Sequence, residues 1–123
     1  MDSIDPGRVS RSVNGALARG GPGLVVGVLA GVPGVVHFPA AHGMFRSAPQ
    51  RVQIGQWRYE AGADGRLRAA HVVDRIVLAE ESLAPDAAGP HLARALGQLV
   101  GDYGDAVVPH IEAVLDAMDA GQI

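Results

Sequence analysis

The apolar positions near the start of the chain recur with the period of an α-helix. They share one helical face between Asp5-Pro6 and Gly20-Gly21: Val9, Val13, Ala16 and Leu17. An aspartate before a proline is a common helix start, because the carboxylate can accept a first-turn N–H and proline suits the first helical position. The glycine pair is a stop signal. Residues 1–21 therefore predict a capped helix.

A second apolar segment, residues 22–31, is bounded by Pro22 and by Pro33-Gly34. This punctuation favours a short helix, although the β-branched residues Val25, Val26 and Val28 also suit a strand. The following stretch, residues 35–48, is predicted to be a loop because Pro39 and Gly43 limit regular structure.

Residues 51–60 alternate between apolar and polar as a half-buried strand does. The phase changes midway, because Val52 and Ile54 occupy even positions whereas Trp57 and Tyr59 occupy odd ones. Either both faces of the strand are covered, or a β-bulge at Gly55-Gln56 restores the phase. We predict the bulge.

Asp64-Gly65 tolerates the positive φ angles of a tight turn and predicts a hairpin. The return strand from residue 66 to residue 81 is longer than usual, so we expect a bend or break near Asp74-Arg75. The consecutive apolar residues 76–78 imply cover on both sides, with helices on one face and a partner subunit on the other.

A motif near the C-terminus occurs twice, as Asp86-Ala-Ala-Gly-Pro-His91 and Asp105-Ala-Val-Val-Pro-His110. Each aspartate is predicted to cap a helix, and Gly101 and Gly104 indicate a helical hairpin. Gly97 and Gly101 would permit close helix approach. His91 and His110 would lie at opposite ends of that hairpin, so we expect that they do not share a metal site within one chain.

The predicted fold class is α+β: N-terminal helices, a central antiparallel hairpin or meander, and a C-terminal helical hairpin packed on the sheet. The length of 123 residues predicts one domain, 1–123. Only 4% of residues are aromatic although 48% are hydrophobic. Such a core is built from small side chains, and we expect a homo-oligomer to bury additional surface.

The net charge of −3 argues against a nucleic-acid-binding protein. The alternative would use Arg58, Arg66 and Arg68 with Trp57 and Tyr59 as stacking platforms. The absence of cysteine excludes disulfides and thiolate metal sites. No apolar run is long enough for a membrane helix, and we expect a cytoplasmic protein.

No motif of an established catalytic class occurs, and we predict no metal and no cofactor. Candidate ligand-binding residues are His37, His42, Tyr59 and His71, since imidazoles near neutral pH serve as bases or hydrogen-bonding groups. The leading functional hypothesis is a non-enzymatic, self-associating domain that acts as an interaction module or subunit, with a possible further protein partner. The alternative is a small-molecule-binding protein or enzyme that uses these four residues between the 35–48 loop and the hairpin.

Overall fold

The structure is a computed structural model that describes residues 4–44 and 47–121. It is an α+β fold, as the sequence predicts, in which helices pack on one face of an antiparallel sheet. The helices are α1 (Pro6–Leu29), α2 (Pro85–Tyr103) and α3 (Val108–Ala120). The strands are β1 (Val36–Phe38), β2 (Ala41–His42), β3 (Ser47–Ala48), β4 (Arg51–Ile54), β5 (Trp57–Ala61), β6 (Leu67–Val73) and β7 (Ile76–Leu83).

Helix α1 begins and breaks at the predicted residues. The Asp5 carboxylate accepts the Gly7 N–H at 2.9 Å, and Pro6 is the first helical residue. Gly21 leaves helical geometry with φ of 75° and ψ of −175°, and the helix resumes at Pro22 and continues to Leu29. The positive φ favours glycine. The predicted stop and the predicted second helix are therefore both confirmed.

Gly55-Gln56 is a hairpin turn, so the predicted bulge there is wrong. Strands β4 and β5 pair antiparallel with Ile54 opposite Trp57, which leaves two residues in the loop. Gly55 has φ of 60°, as the first central residue of a type II′ turn requires. The reversal explains the change of phase, because Val52 and Tyr59 stand opposite one another on the same face.

The sheet order is β1-β4-β5-β6-β7. The predicted break at Asp74-Arg75 is a second tight reversal, in which both residues have positive φ (51° and 68°). A register shift between β6 and β7 follows His71. The predicted loop at 35–48 is wrong in part, because β1 pairs with β4 and β2 pairs with β3.

The C-terminal helices are separated at Gly104, which has φ of 84°. Helix α2 begins at Pro85 after Ala84, and a 3₁₀ turn from Asp105 to Val107 precedes α3. Neither Asp86 nor Asp105 is an α-helix cap, so those two predictions are wrong. Both helices pack mainly on α1 rather than on each other, and α2 also contacts β4 and β7.

Helices α1 and α2 approach each other closely at Gly89 of α2. A Cβ added there would lie 2.7 Å from the Ser10 Cα of α1. Gly97 and Gly101 have no atom within 4 Å of such a Cβ, so the prediction that they permit close approach is wrong. The α1–α2 contact therefore depends on the glycine of the first repeat.

The core lies between the helices and one face of the sheet. Tyr59 is its largest fully buried side chain, and every other residue of β4 and β6 points into it. The sheet contributes Val52, Ile54, Tyr59, Leu67 and Ala69, and the helices contribute a ring of leucine, isoleucine and valine side chains. Three polar contacts hold α3 against α1. Arg8 forms ion pairs with Asp116 and Asp119, and Arg19 donates a hydrogen bond to the Met118 carbonyl.

Gly89→Ala is expected to destabilise the fold, because the new Cβ overlaps Ser10 backbone and forces α1 and α2 apart. The free energy of unfolding should fall by about 1–3 kcal/mol, as for other overpacked sites. Urea denaturation followed by circular dichroism measures this change. Gly97→Ala is the matched control in the same helix and should raise stability by about 0.5–1 kcal/mol. Equal effects of the two substitutions would contradict this packing account.

Candidate functional site

Four side chains form an aromatic–histidine cluster between the sheet and α2: Trp57, Tyr59, His71 and His91. Strand β5 supplies Trp57 and Tyr59, both on the helix-facing side of the sheet. His71 stands directly opposite Trp57 on β6, and His91 comes from the second turn of α2. Adjacent strands and one helix thus bring these residues together.

Tyr59 and His91 form the central polar contact of the cluster. The Tyr59 hydroxyl lies 2.7 Å from His91 Nδ1, and both side chains are buried. If His91 Nδ1–H donated to the Tyr59 oxygen, the proton of the Tyr59 hydroxyl would have no acceptor among the described residues. Tyr59 therefore donates to Nδ1, which places the proton of neutral His91 on Nε2.

Burial keeps both partners neutral. Loss of hydration raises the pKa of the Tyr59 hydroxyl far above its ordinary value of 10.0, and nearby Arg94 opposes this only in part. Burial is also the main reason that the pKa of His91 lies below 6.5; Arg94 lowers it further and Glu81 opposes the shift. The pair is a neutral hydrogen bond rather than an ion pair.

Trp57 joins the two histidines. Its ring stacks on His71 with centroids 4.8 Å apart and meets His91 edge-on at 4.5 Å. The outer end of the cluster is polar, because His71 Nε2 lies 3.0 Å from Gln56 Oε1 in the β4–β5 turn. The cluster therefore runs from a buried hydroxyl to a solvent-facing amide.

The structure brings together two of the four predicted ligand-binding residues, Tyr59 and His71, through Trp57 and His91. His37 stands apart on the exposed strand β1, where its Nε2 lies 3.2 Å from Gln50 Oε1. Strand β4 separates it from Tyr59. The His42 side chain lies outside the described part of the structure. A ligand-binding role for these residues remains a prediction.

Sequence reasoning missed His91, which it placed at one end of the predicted helical hairpin without a partner. The available signal was periodicity: His91 falls at helical spacing from Ala88 and Ala95 on the apolar face of α2. A polar residue on that face must find a partner in the core. The partner, Tyr59, is 32 residues away, so the sequence could not identify it.

The cluster is suited to hydrogen bonding. His91 Nε2–H and the Gln56–His71 pair are donors and acceptors for a neutral polar group. Within residues 4–44 and 47–121, no three histidine, aspartate or glutamate side chains converge as a metal site would need. A cavity of about 400 Å³ lies elsewhere, and none of the four predicted ligand-binding residues lines it. Its lining includes Asn14, Leu17, Leu67, Leu83 and Asp86.

The stacking arrangement of the nucleic-acid alternative is not formed. Trp57 and Tyr59 face the helices, whereas Arg58 and Arg68 belong to the opposite face of the sheet. Successive residues of a strand point to opposite faces, so these arginines could not position a backbone while bases stacked on the two rings.

Acidification is expected to destabilise the protein through His91. The unfolded histidine takes up a proton near its ordinary pKa of 6.5, whereas the folded one does so only at lower pH. Between the lowered pKa of folded His91 and pH 6.5, the unfolded state binds more protons than the folded state. The free energy of unfolding is therefore highest above pH 6.5 and decreases as the pH falls below that value. Urea unfolding at about pH 7.5 and about pH 5.5 measures the loss.

His91→Gln should remove part of this pH dependence, since glutamine does not titrate over this range. His110→Gln is the matched control, because His110 occupies the same position of the second repeat and is exposed. If both variants kept the full pH dependence of the parent protein, His91 would not be its source.

In the described residues, no helix has the length and apolar character needed to cross a membrane.

Comparison with known proteins identifies a family for the chain. No curated protein and no solved structure matches the sequence. The pattern of one family, described as a domain of unknown function (DUF5073), matches residues 1–120. Since the match covers nearly the whole length, the chain belongs to the DUF5073 family.

Proposed function

We propose that this domain is a self-associating interaction module and that two copies join through strand β7. The observation that carries the proposal is the exposure of β7, an eight-residue edge strand of which only Leu83 is buried. Its first three residues are apolar and exposed: Ile76 at 62%, Val77 at 43% and Leu78 at 59%. An exposed apolar edge of this length is a template for another strand.

Strand β7 has few of the features that block edge pairing. It contains neither proline nor lysine, which natural proteins place on edges to prevent association. Leu78 is the extra residue of the register shift between β6 and β7, and such a bulge twists the edge locally. The contact between copies would therefore use the apolar side chains of residues 76–78 rather than a regular ladder along the whole strand. A second copy is the occupant that matches this segment in length and apolar character.

A two-fold contact between β7 strands would place the apolar residues of both copies together. Residues 76–78 of one copy would cover the same residues of the second copy and remove them from water. Arg75 precedes β7, whereas Glu80 and Glu81 follow the apolar residues. In an antiparallel arrangement the arginine end of one strand would lie toward the glutamate end of the other, and opposite charges there would stabilise the pair.

We expect this module to work in the cytoplasm as a scaffold or subunit. The absence of cysteine suits a reducing compartment such as the cytoplasm. A joined pair of sheets would leave the helices and the outer sheet faces of both copies open to a further protein partner. The module would then act as a symmetric scaffold or subunit.

The oligomeric state tests this function. Size-exclusion chromatography with light scattering should give twice the chain mass of 12.7 kDa. Leu78→Lys should give the mass of one chain, because it places a charged side chain in the apolar contact of each copy. Val36→Lys, an exposed position on the opposite edge of the sheet, should leave the dimer intact.

A charge exchange tests the antiparallel orientation of the pair. Arg75→Glu should weaken the dimer, because the introduced carboxylate would lie near the Glu80 and Glu81 carboxylates of the second copy. The double variant R75E/E81R should restore the dimer. A parent protein that is monomeric at all concentrations tested would overturn the proposed self-association. A dimer unaffected by Leu78→Lys would overturn the assignment to β7.

A second candidate function, binding of a small neutral molecule, is favoured by the aromatic–histidine cluster. The neutral His91 beside Trp57 offers a hydrogen-bond donor next to an aromatic face, as many ligand sites do. The chain has a single tryptophan, so selectively excited tryptophan fluorescence reports on this cluster alone.

Fluorescence titration tests this candidate, with imidazole and phenol as probes of the two ring types in the cluster. Saturable quenching of Trp57 that is lost in His91→Gln but kept in His110→Gln would support binding there. Quenching that rises linearly with concentration in all three proteins would exclude it.

A further inference from the structure

The face of the sheet that points away from the helices carries a group of charged residues on β4, β5, β6 and β7. Arg51 on β4, Glu60 on β5 and Arg68 on β6 stand in one row across the sheet. Arg58 and Glu80 belong to the neighbouring row. All five line one cavity of about 60 Å³.

The charges in this group are unequally paired. Arg68 lies 3.6 Å from Glu80. Arg51 and Arg58, in contrast, form no ion pair within the part of the chain that the structure describes. Two guanidinium groups on diagonal positions of one strand pair therefore lack a carboxylate partner.

Phe38 of β1 holds these two arginines together. The guanidinium carbons of Arg51 and Arg58 lie 5.1 Å and 5.2 Å from the centre of its ring. Attraction between a cation and an aromatic face favours this arrangement, but it leaves two like charges side by side. The Nε atoms of both arginines are buried and have no hydrogen-bond partner among the described residues.

These features fit an oxyanion. A guanidinium edge presents Nε–H and Nη–H to the two oxygens of a carboxylate or phosphate. Such a group would supply the missing acceptor for Nε and would offset the repulsion between Arg51 and Arg58. Buried polar atoms without partners are uncommon in folded proteins and mark places where a water or ion completes the structure.

We propose that Arg51 and Arg58, held by Phe38, bind the phosphate or carboxylate group of a small molecule. The cavity of about 60 Å³ has the volume of about two liquid waters, which suits one such group. A second cavity of about 290 Å³ shares Arg58 with the first and is also lined by Phe38, Gln53, Asp74 and Arg75. It offers space for the rest of the molecule.

The surrounding charges select a small ligand over a polyanion. Glu60 and Glu80 reduce the charge of the three arginines to a net +1 at this cavity, and the whole chain carries −3. A polyanion would gain little and would meet these carboxylates. The glutamates are positioned instead to accept hydrogen bonds from a hydroxyl or amine of the same ligand.

NMR of ¹⁵N-labelled full-length protein tests the site, because each arginine side chain has its own Nε–H resonance. Sodium phosphate and sodium succinate are the two probes, titrated at constant ionic strength. We expect saturable shifts of the Arg51 and Arg58 resonances with at least one probe. The probe that binds more tightly distinguishes phosphate from carboxylate recognition.

Three variants assign the binding. Arg58→Gln should raise the dissociation constant by about tenfold or more, as expected for loss of a charged hydrogen bond. Phe38→Leu keeps every charge but removes the ring, and it should also weaken binding. Arg11→Gln, on the exposed side of α1, lowers the net charge equally and should leave binding unchanged.

The proposal is overturned if neither probe gives a saturable shift of the two resonances in the parent protein. It is also overturned if Arg11→Gln weakens binding as much as Arg58→Gln, since the effect would then be general electrostatics. If Arg58→Gln does not fold, Phe38→Leu decides the question. The two arginines and the phenylalanine that bind the anion come from β4, β5 and β1, so monomeric Leu78→Lys should bind the probes as the parent does, whatever the fate of the β7 dimer.

Discussion

The hydrogen bond between the Tyr59 hydroxyl and His91 Nδ1 connects the two layers of the fold. It is a polar contact in a core made mainly of apolar side chains, and its partners come from the middle of the sheet and the start of α2. A buried donor and acceptor are costly to separate. The bond therefore fixes the depth and orientation at which α2 sits on the sheet.

This constraint extends to α1 through the first repeat. Gly89, two residues before His91, gives Ser10 of α1 its close approach. The position that buries His91 thus also sets the spacing between α1 and α2. Because α3 packs mainly on α1, the arrangement of all three helices follows from the segment that carries Gly89 and His91.

Strand β5 divides the chemistry of the molecule between two faces. Its odd-numbered residues, Trp57 and Tyr59, enter the neutral aromatic–histidine cluster, whereas Arg58 and Glu60 join the charged group on the other side. The alternation of a strand is sufficient to separate them. A neutral interior site and a charged exterior site can therefore occupy the same five residues, and a substitution on one face need not affect the other.

The sequence predicted best where a feature depends on neighbouring residues. Asp5-Pro6, Gly21 and Asp64-Gly65 act within one turn of chain, and the helix start, the helix break and the β5–β6 hairpin follow from them. The conformation at Gly55, in contrast, could not be predicted from the neighbouring residues alone. A bulge and a two-residue turn both shift the apolar phase, and the choice depends on whether residues 51–54 can pair with residues 57–60. That pairing is a property of the whole sheet.

The candidate site was harder to predict because its contacts join distant segments. Tyr59 and His71 could be selected by residue type, but His91 required knowledge of which helix packs under the sheet. The two repeats make the reason plain. His91 and His110 have the same local sequence, yet α2 contacts β4 and β7 whereas α3 packs mainly on α1. Only the histidine beneath the sheet meets Tyr59 and Trp57, so its chemistry is assigned by tertiary position and not by the motif that contains it.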